Sequence, residues 1–280
     1  MHLRISHLSR YRYSNAVWLE PHVLRLRPRC DGSQRLSAFT LDIDPRPHGW
    51  SEWMDIEGNA AASAWFDTAC ESLTVRTSFE IETLRQNPFD FLLDGRAAAL
   101  PVQFSPVEEL ALAVYRRRRW SDREIDSFAG DVLYASGELT TFFLSELARE
   151  LHARSSVTPQ TPAAPLPPLE TLERRGGSCR DLALLYVETC RAVGLPARFV
   201  TGYHLPFTAE GERLLHAWAE VYLPGAGWRG FDPTSGLAVS DQHVVVAAAA
   251  EPQDAIPISG AFRSRSARSE LEVRIDIVPA

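Results

Sequence analysis

Apolar and polar residues alternate with a period of two through the first third of the chain, in Phe39, Leu41 and Ile43 and again in Leu73, Val75, Thr77, Phe79 and Ile81. That period sends successive side chains to opposite faces of an extended strand, so residues 1 to 95 predict an all-β module. Gly58-Asn59 lies between the segments Trp50 to Ile56 and Ala60 to Phe66, and both residues tolerate positive φ, which predicts a hairpin turn. Asn87-Pro88 closes the last strand.

The period then changes. Ser105, Pro106 and Glu108 suit the N-cap, N1 and N3 positions of a helix in which Val107, Leu110, Ala111 and Val114 recur at helical spacing. A second helix is predicted from Glu138 to His152, with Leu139, Phe142, Phe143, Leu147 and Leu151 as its apolar face. Five prolines among the eleven residues Thr158 to Pro168 forbid regular helix and predict an extended surface loop that can line a cleft. Beyond it, Leu169 to Arg175 reads as a short helix, Gly176-Gly177-Ser178 as a turn, and Cys179 to Val193 as a helix closed by Gly194 and Pro196. This helix is apolar nearly all round, which predicts burial between a sheet and other helices. Strands at Ala197 to Leu205, His216 to Leu223, Trp228 to Asp232 and Leu271 to Val278 complete an α+β second domain over residues 96 to 280.

A composition of 45% hydrophobic and 23% charged residues fits a folded chain with little disorder. The net charge is -7, and all 29 basic residues are arginine. Their one cluster, Arg116 to Arg119, sits at a predicted helix end where cations complement the dipole, so nucleic acid is not an expected partner. The alternating Met1 to Asn15 segment lacks the apolar core of a signal peptide, and no apolar run reaches the about 18 residues that span a bilayer. No membrane partner is expected. Cysteines at 30, 70, 179 and 190 form neither a disulfide framework nor C-x-x-C metal spacing, which fits a reducing, cytoplasmic setting.

Cys179 follows a Gly-Gly-Ser turn and opens a buried helix, where free backbone N–H groups and the positive dipole end favour a thiolate and can hold an oxyanion. The competing reading is a packed structural cysteine, the reading that suits Cys30, Cys70 and Cys190. A thiol nucleophile needs a base, and His216 opens a predicted strand. Asp232 closes the next strand across Pro224-Gly225-Ala226-Gly227, so a hairpin can bring carboxylate to imidazole. Register decides this: direct pairing of Leu223 with Trp228 would turn Asp232 to the face away from His216, and a five-residue connection or a bulge would restore it. His204 and His243 are rival bases, but neither is followed by a hairpin strand ending in an acid. Asp181, near the same helix start, reads as a structural complement to the dipole.

Four segments carry a family resemblance: Gly176-Gly177-Ser178-Cys179-Arg180-Asp181, Gly194-Leu195-Pro196-Ala197-Arg198-Phe199-Val200-Thr201-Gly202-Tyr203, His216-Ala217-Trp218-Ala219-Glu220-Val221-Tyr222 and Gly227-Trp228-Arg229-Gly230-Phe231-Asp232-Pro233-Thr234. They resemble the bacterial transglutaminase-like proteins, of the papain-like cysteine peptidase superfamily. Arg10-Tyr11-Arg12-Tyr13-Ser14 and Leu24-Arg25-Leu26-Arg27-Pro28 resemble the β-rich N-terminal region that precedes this core in many of them. The resemblance implies a papain-like α+β core with a buried central helix against an antiparallel sheet. It also implies a Cys179 nucleophile, a His216 base and an Asp232 that orients the histidine. No cofactor or metal is expected, and the chain has no acidic loop cluster of the calcium-binding type. Gln160 is the one side chain of the Pro-rich segment suggested as an oxyanion donor. The implied partner is a peptide or protein substrate, and the implied chemistry is acyl transfer through a thioester. Hydrolysis, cross-linking of glutamine to an amine, and non-catalytic peptide binding on the same fold are the three functions compared. The first is favoured.

Overall fold

The computed structural model describes residues 1–159, 164–205 and 215–280. The first module consists of β1 (His2–Leu19), β2 (His22–Leu24), β3 (Gln34–Asp44), β4 (Gly49–Met54), β5 (Ala60–Trp65) and β6 (Ala69–Thr83). β6 lies between β1 and β3, while β2, β5 and β4 form a second sheet. The β4–β5 hairpin turns at Gly58, whose φ is +77°, where the sequence predicts it. Leu73 and Val75 of β6 meet Leu24 and Ala62 across the two sheets, so the inward half of each alternating strand makes a core.

The helical region contains α1 (Pro106–Ala111), α2 (Ala113–Arg116), α3 (Arg123–Ala135) and α4 (Thr140–Arg154). Ser105 and Glu108 form the expected capping box at the start of α1. The expected apolar face does not become a core face. The helix breaks at Leu112, which is buried, while Val107, Leu110 and Val114 stay exposed. α3 is additional to the expected helices and buries Ile125, Phe128, Ala129 and Val132 at spacing i, i+3, i+4, i+7. In α4 the buried face runs through Phe143, Leu144, Leu147, Ala148 and Leu151; Leu139 and Phe142 remain exposed. Within the arginine cluster, Arg118 pairs with Asp126 at 2.6 Å and Arg119 with Glu251 at 3.1 Å.

The rest of the core comprises β7 (Ser156–Val157), α5 (Pro168–Arg174), β8 (Gly176–Gly177), α6 (Cys179–Ala192), β9 (Ala197–His204), β10 (His216–Leu223), β11 (Gly227–Asp232), β12 (Leu237–Ala238) and β13 (His243–Ala249). The antiparallel order is β12-β11-β10-β9-β13. α6 is buried on almost every side, as its composition predicts. Leu185, Tyr186, Val187 and Cys190 pack among Phe143 and Leu147 of α4 and Ala219, Val221 and Leu223 of β10.

The chain ends with β14 (Ile258–Ser259), β15 (Phe262–Arg263) and β16 (Ser269–Pro279). The last strand, expected to complete the second domain, instead pairs antiparallel with β1 from Leu3↔Pro279 to Tyr13↔Ser269. β15 also pairs with β1, and β14 with β2. These strands therefore belong with the sheets of the first module, which offer them free edges; the core sheet has β12 and β13 at its own. Tyr203 and Val244 pack against Leu3, Ile5 and Phe79 and join the two modules through apolar side chains.

Two buried amides from the first module cover the outer edge of β13. Gln34 donates to Val245 O at 2.8 Å and accepts from Val245 N at 2.8 Å. Asn59 donates to Ala248 O at 2.9 Å and accepts from Ala248 N at 2.9 Å. Each side chain supplies the donor and acceptor that a neighbouring strand would present. Asn59→Ala leaves both Ala248 groups unpaired at a buried edge. It is expected to lower unfolding free energy by about 1–3 kcal/mol, read as a shifted denaturant midpoint.

Candidate functional site: a buried thiol, three imidazoles and a carboxylate

Cys179 is the first residue of α6 and is 6% exposed. The helix start is fixed around it by Asp181, whose carboxylate accepts from Ser178 N at 2.7 Å, Ser178 Oγ at 2.8 Å and Leu166 N at 2.7 Å. Asp181 thus holds the turn before the thiol. Gly177 is required beside it, since a Cβ there would lie 2.8 Å from Asp181 Cβ. None of the four cysteines is in a disulfide among the described residues; Cys190 sits in the core formed by α6, α4 and β10.

β10 carries His216 at its first position, opposite Gly202 of β9. A side chain at residue 202 would drive a Cβ to 2.0 Å from Val244 O and 2.6 Å from the Trp218 ring, so glycine lets β9, β10 and β13 close up at this point. The β10–β11 hairpin pairs Leu223 with Gly227 and Tyr222 with Trp228. Its connection is therefore three residues, with positive φ at Gly225 (+85°) and Gly227 (+72°), rather than the five-residue loop or bulge expected. This register has the parity that His216 requires. Continued by one pair beyond Ala219↔Phe231, it sets Asp232 on the same face as Trp218 and His216.

His216 Nε2 and Asp232 Oδ2 are 2.8 Å apart, and the carboxylate is fully buried. Asp232 Oδ1 accepts the Thr234 N–H at 2.8 Å, which fixes the carboxylate plane. The Cys179 side chain hydrogen-bonds the His216 ring. With Nε2 turned to Asp232, the ring presents Nδ1 to the sulfur. Burial acts to lower the His216 pKa, but the Asp232 charge and hydrogen bond, helped by Cys179, override it and raise it to about 10. Asp232 is the converse: burial opposes its charge, and the His216 cation still holds it well below the usual carboxylate range.

This pairing has a sign-definite effect on stability. The folded protein keeps the His216 proton to about pH 10, whereas an unfolded chain releases it near 6.5. The stabilisation is complete below pH 6.5 and declines from there to about 10, at up to about 1.4 kcal/mol per pH unit. Denaturant midpoints measured across this interval are expected to fall, and to fall less steeply in His216→Gln.

The two rival histidines are brought to the same place. His243 is at the start of β13, paired in register with His204 at the end of β9. Their rings stack at 4.3 Å with an interplanar angle of 18°, and His204 lies 5.1 Å from the His216 ring. His243 Nε2 reaches Asp232 Oδ2 at 3.3 Å, so the carboxylate oxygen is shared. Burial, then the neighbouring His243 and His216, push the His204 pKa down to about 3. Burial also lowers that of His243, with Asp232 partly offsetting it.

A cavity of about 690 Å³ opens onto His216. Its walls include Arg180, Leu184 and Trp120 from the core and Tyr11, Tyr13 and Phe262 from the strands of the first module. Ala164 and Pro165, from the Pro-rich segment expected to line a cleft, also border it. Gln160 lies outside the described residues. The first module therefore forms one wall of the cavity beside the candidate site.

Comparison with known proteins gives two family matches. Residues 3–82 match the bacterial transglutaminase-like N-terminal region, and residues 135–233, which hold Cys179, His216 and Asp232, match the transglutaminase-like superfamily. An uncharacterised protein of Mycobacterium tuberculosis is 29% identical over 99% of this chain and 92% of its own. A protein-glutamine gamma-glutamyltransferase of Pseudomonas aeruginosa is 37% identical over 73 residues, 24% of this chain and 11% of that one. Among solved structures, a Cytophaga hutchinsonii protein provisionally named a cysteine protease superposes with a TM-score of 0.73. It is 18% identical and the match covers 99% of this chain and 90% of that one. The shared fold extends across both modules.

Proposed function

Because the chain belongs to the transglutaminase-like superfamily, with that superfamily's N-terminal region ahead of its core, we propose that it is a thiol-dependent acyl transferase acting on peptide or glutamine amides, with water as the usual acceptor. The observation that carries the reading is one imidazole held between a buried carboxylate and a thiol at a helix start. In this reading Cys179 is the nucleophile, His216 the proton shuttle and Asp232 the group that fixes the His216 tautomer.

Cys179, paired as a thiolate with the His216 imidazolium, adds through its sulfur to the amide carbonyl carbon. The resulting oxyanion faces the first-turn N–H groups of α6. The tetrahedral adduct collapses as the C–N bond breaks and the His216 imidazolium gives its proton to the departing amine, leaving a thioester. A water molecule, deprotonated by His216, adds to that thioester; carboxylic acid leaves and the thiol is restored. An amine in place of water yields a new amide by the same steps. The second reading, cross-linking, is favoured by the local match to the Pseudomonas aeruginosa protein-glutamine gamma-glutamyltransferase.

Mass analysis of a glutamine-containing peptide incubated with and without a primary amine separates these outcomes. Cleavage or deamidation unaffected by the amine supports hydrolysis; an amine adduct supports cross-linking. Alkylation of Cys179 at neutral pH tests the non-catalytic alternative, because a binding module would label no faster than an ordinary thiol.

A further inference from the structure

His204, His216, His243 and Asp232 each offer one ligand atom, and these atoms all lie within 4.8 Å of one another. Such a set, three imidazoles and one carboxylate, matches the donors and number that zinc takes in a tetrahedral site. The distances also suit it. Bonds of about 2.0–2.1 Å place tetrahedral ligands roughly 3.3 Å apart. Asp232 Oδ2 is already 2.8 Å from His216 Nε2 and 3.3 Å from His243 Nε2. Side-chain rotations of His204 and small ring shifts would close the remaining spread. Gly202, with no side chain, lets the strands bearing His204, His216 and His243 converge. The cavity lined by His216 gives an ion a route inward.

We propose that these four residues form an inhibitory site for a zinc-type divalent cation, which binds behind the His216 imidazole and takes it out of the acyl-transfer cycle. The inhibition, though not the binding, rests on the function proposed above. A cation on His216 Nε2 replaces the proton shared with Asp232. His216 can then no longer form an imidazolium: releasing its Nδ1 proton to a departing amine would leave a metal-bound imidazolate. The proton that breaks the C–N bond is lost to the reaction, although the cation never touches the sulfur.

That last point sets the experiment, because zinc can also bind directly to a thiolate beside an imidazole. The full chain carrying Cys179→Ala is titrated with Zn2+ by calorimetry and with Co2+ by visible absorption, which reports tetrahedral coordination. One ion per chain with a tetrahedral Co2+ spectrum is expected. In the same background, His204→Ala and, separately, His243→Gln are expected to weaken binding at least about tenfold, the smallest loss typical even of groups that only support a metal ligand. Circular dichroism checks that each variant is folded, and two independent substitutions keep the test decisive should one not be. No binding to the Cys179→Ala protein, or equal binding to all three, overturns the site. In the protein with Cys179 intact, Zn2+ is expected to suppress turnover and a chelator to restore it. In His204→Ala the suppression, taken relative to that variant's own metal-free rate, is expected to need at least about tenfold more Zn2+. Binding without suppression overturns the inhibitory role while leaving the site. Absence of any metal-free turnover counts against the acyl-transfer reading, and the Cys179→Ala titration still decides the metal site.

Discussion

Cys179→Ala is expected to reduce acyl transfer roughly 10⁴- to 10⁶-fold, to the level that binding and the oxyanion donors alone can sustain. The loss is this large because in the proposed mechanism the nucleophile and its base act as one unit, and neither His216 nor Asp232 can form the thioester. The fold supplies a control on the same helix. Cys190 is also a buried cysteine, but it lies in the core formed with α4 and β10. Cys190→Ala removes one sulfur from that packing and is expected to cost about 1 kcal/mol of stability while leaving turnover within a few-fold. Steady-state rates and thermal midpoints of the two variants check both halves. A Cys179→Ala protein that keeps its rate would remove the thiol mechanism.

Asp232→Asn is expected to lower turnover about 10⁴-fold while the protein remains folded. The reason is local hydrogen-bond arithmetic. The carboxylate accepts from Thr234 N through Oδ1, and Oδ2 faces both His216 Nε2 and His243 Nε2. An amide has one acceptor oxygen, so its NH₂ must face at least one group that now donates. The imidazole responds by reversing its tautomer, placing its proton on Nδ1, where Cys179 needs a vacant lone pair. Because the cation on His216 is held by the Asp232 charge, the decline in stability between pH 6.5 and about 10 is also expected to flatten in this variant. Turnover at pH 7 and denaturant midpoints across that range measure the two effects. Unchanged turnover in the Asp232→Asn protein would assign the carboxylate to structure alone.

The parts of the site that the sequence makes legible are those set by local chemistry. The Gly-Gly-Ser turn before Cys179 announces a helix start, and Asp181, read only as a complement to the dipole, closes it with backbone and hydroxyl hydrogen bonds. His216 and Asp232 fall on adjacent strands because the intervening Pro-Gly-Ala-Gly segment can only turn. Their mutual orientation is harder to read. A one-residue change of loop length reverses it, and Gly225 and Gly227 both permit several loops. His204 and His243 cannot be placed beside Asp232 from sequence because β9 and β13 pair across the whole β10–β12 excursion, a contact with no local signal. The exposed apolar residues of α1 show the reverse error. Helical spacing predicts a face, but whether anything covers it depends on tertiary neighbours.

The pairing of β1 with β16 has a kinetic consequence. Residues from the two ends of the sequence, such as Leu3 and Pro279, must find one another to complete a strand pair more than ten residues long. Closing so long a loop carries an entropic penalty before any contact repays it, so this step belongs late in folding and slows it. Until then one edge of β1 lacks the partner it has in the finished sheet and can pair with another chain. On the ribosome that edge is ready to associate while the core with Cys179, His216 and Asp232 is still being made. The first module can thus begin to fold early, but its own sheet is sealed only after the α+β core has left the ribosome.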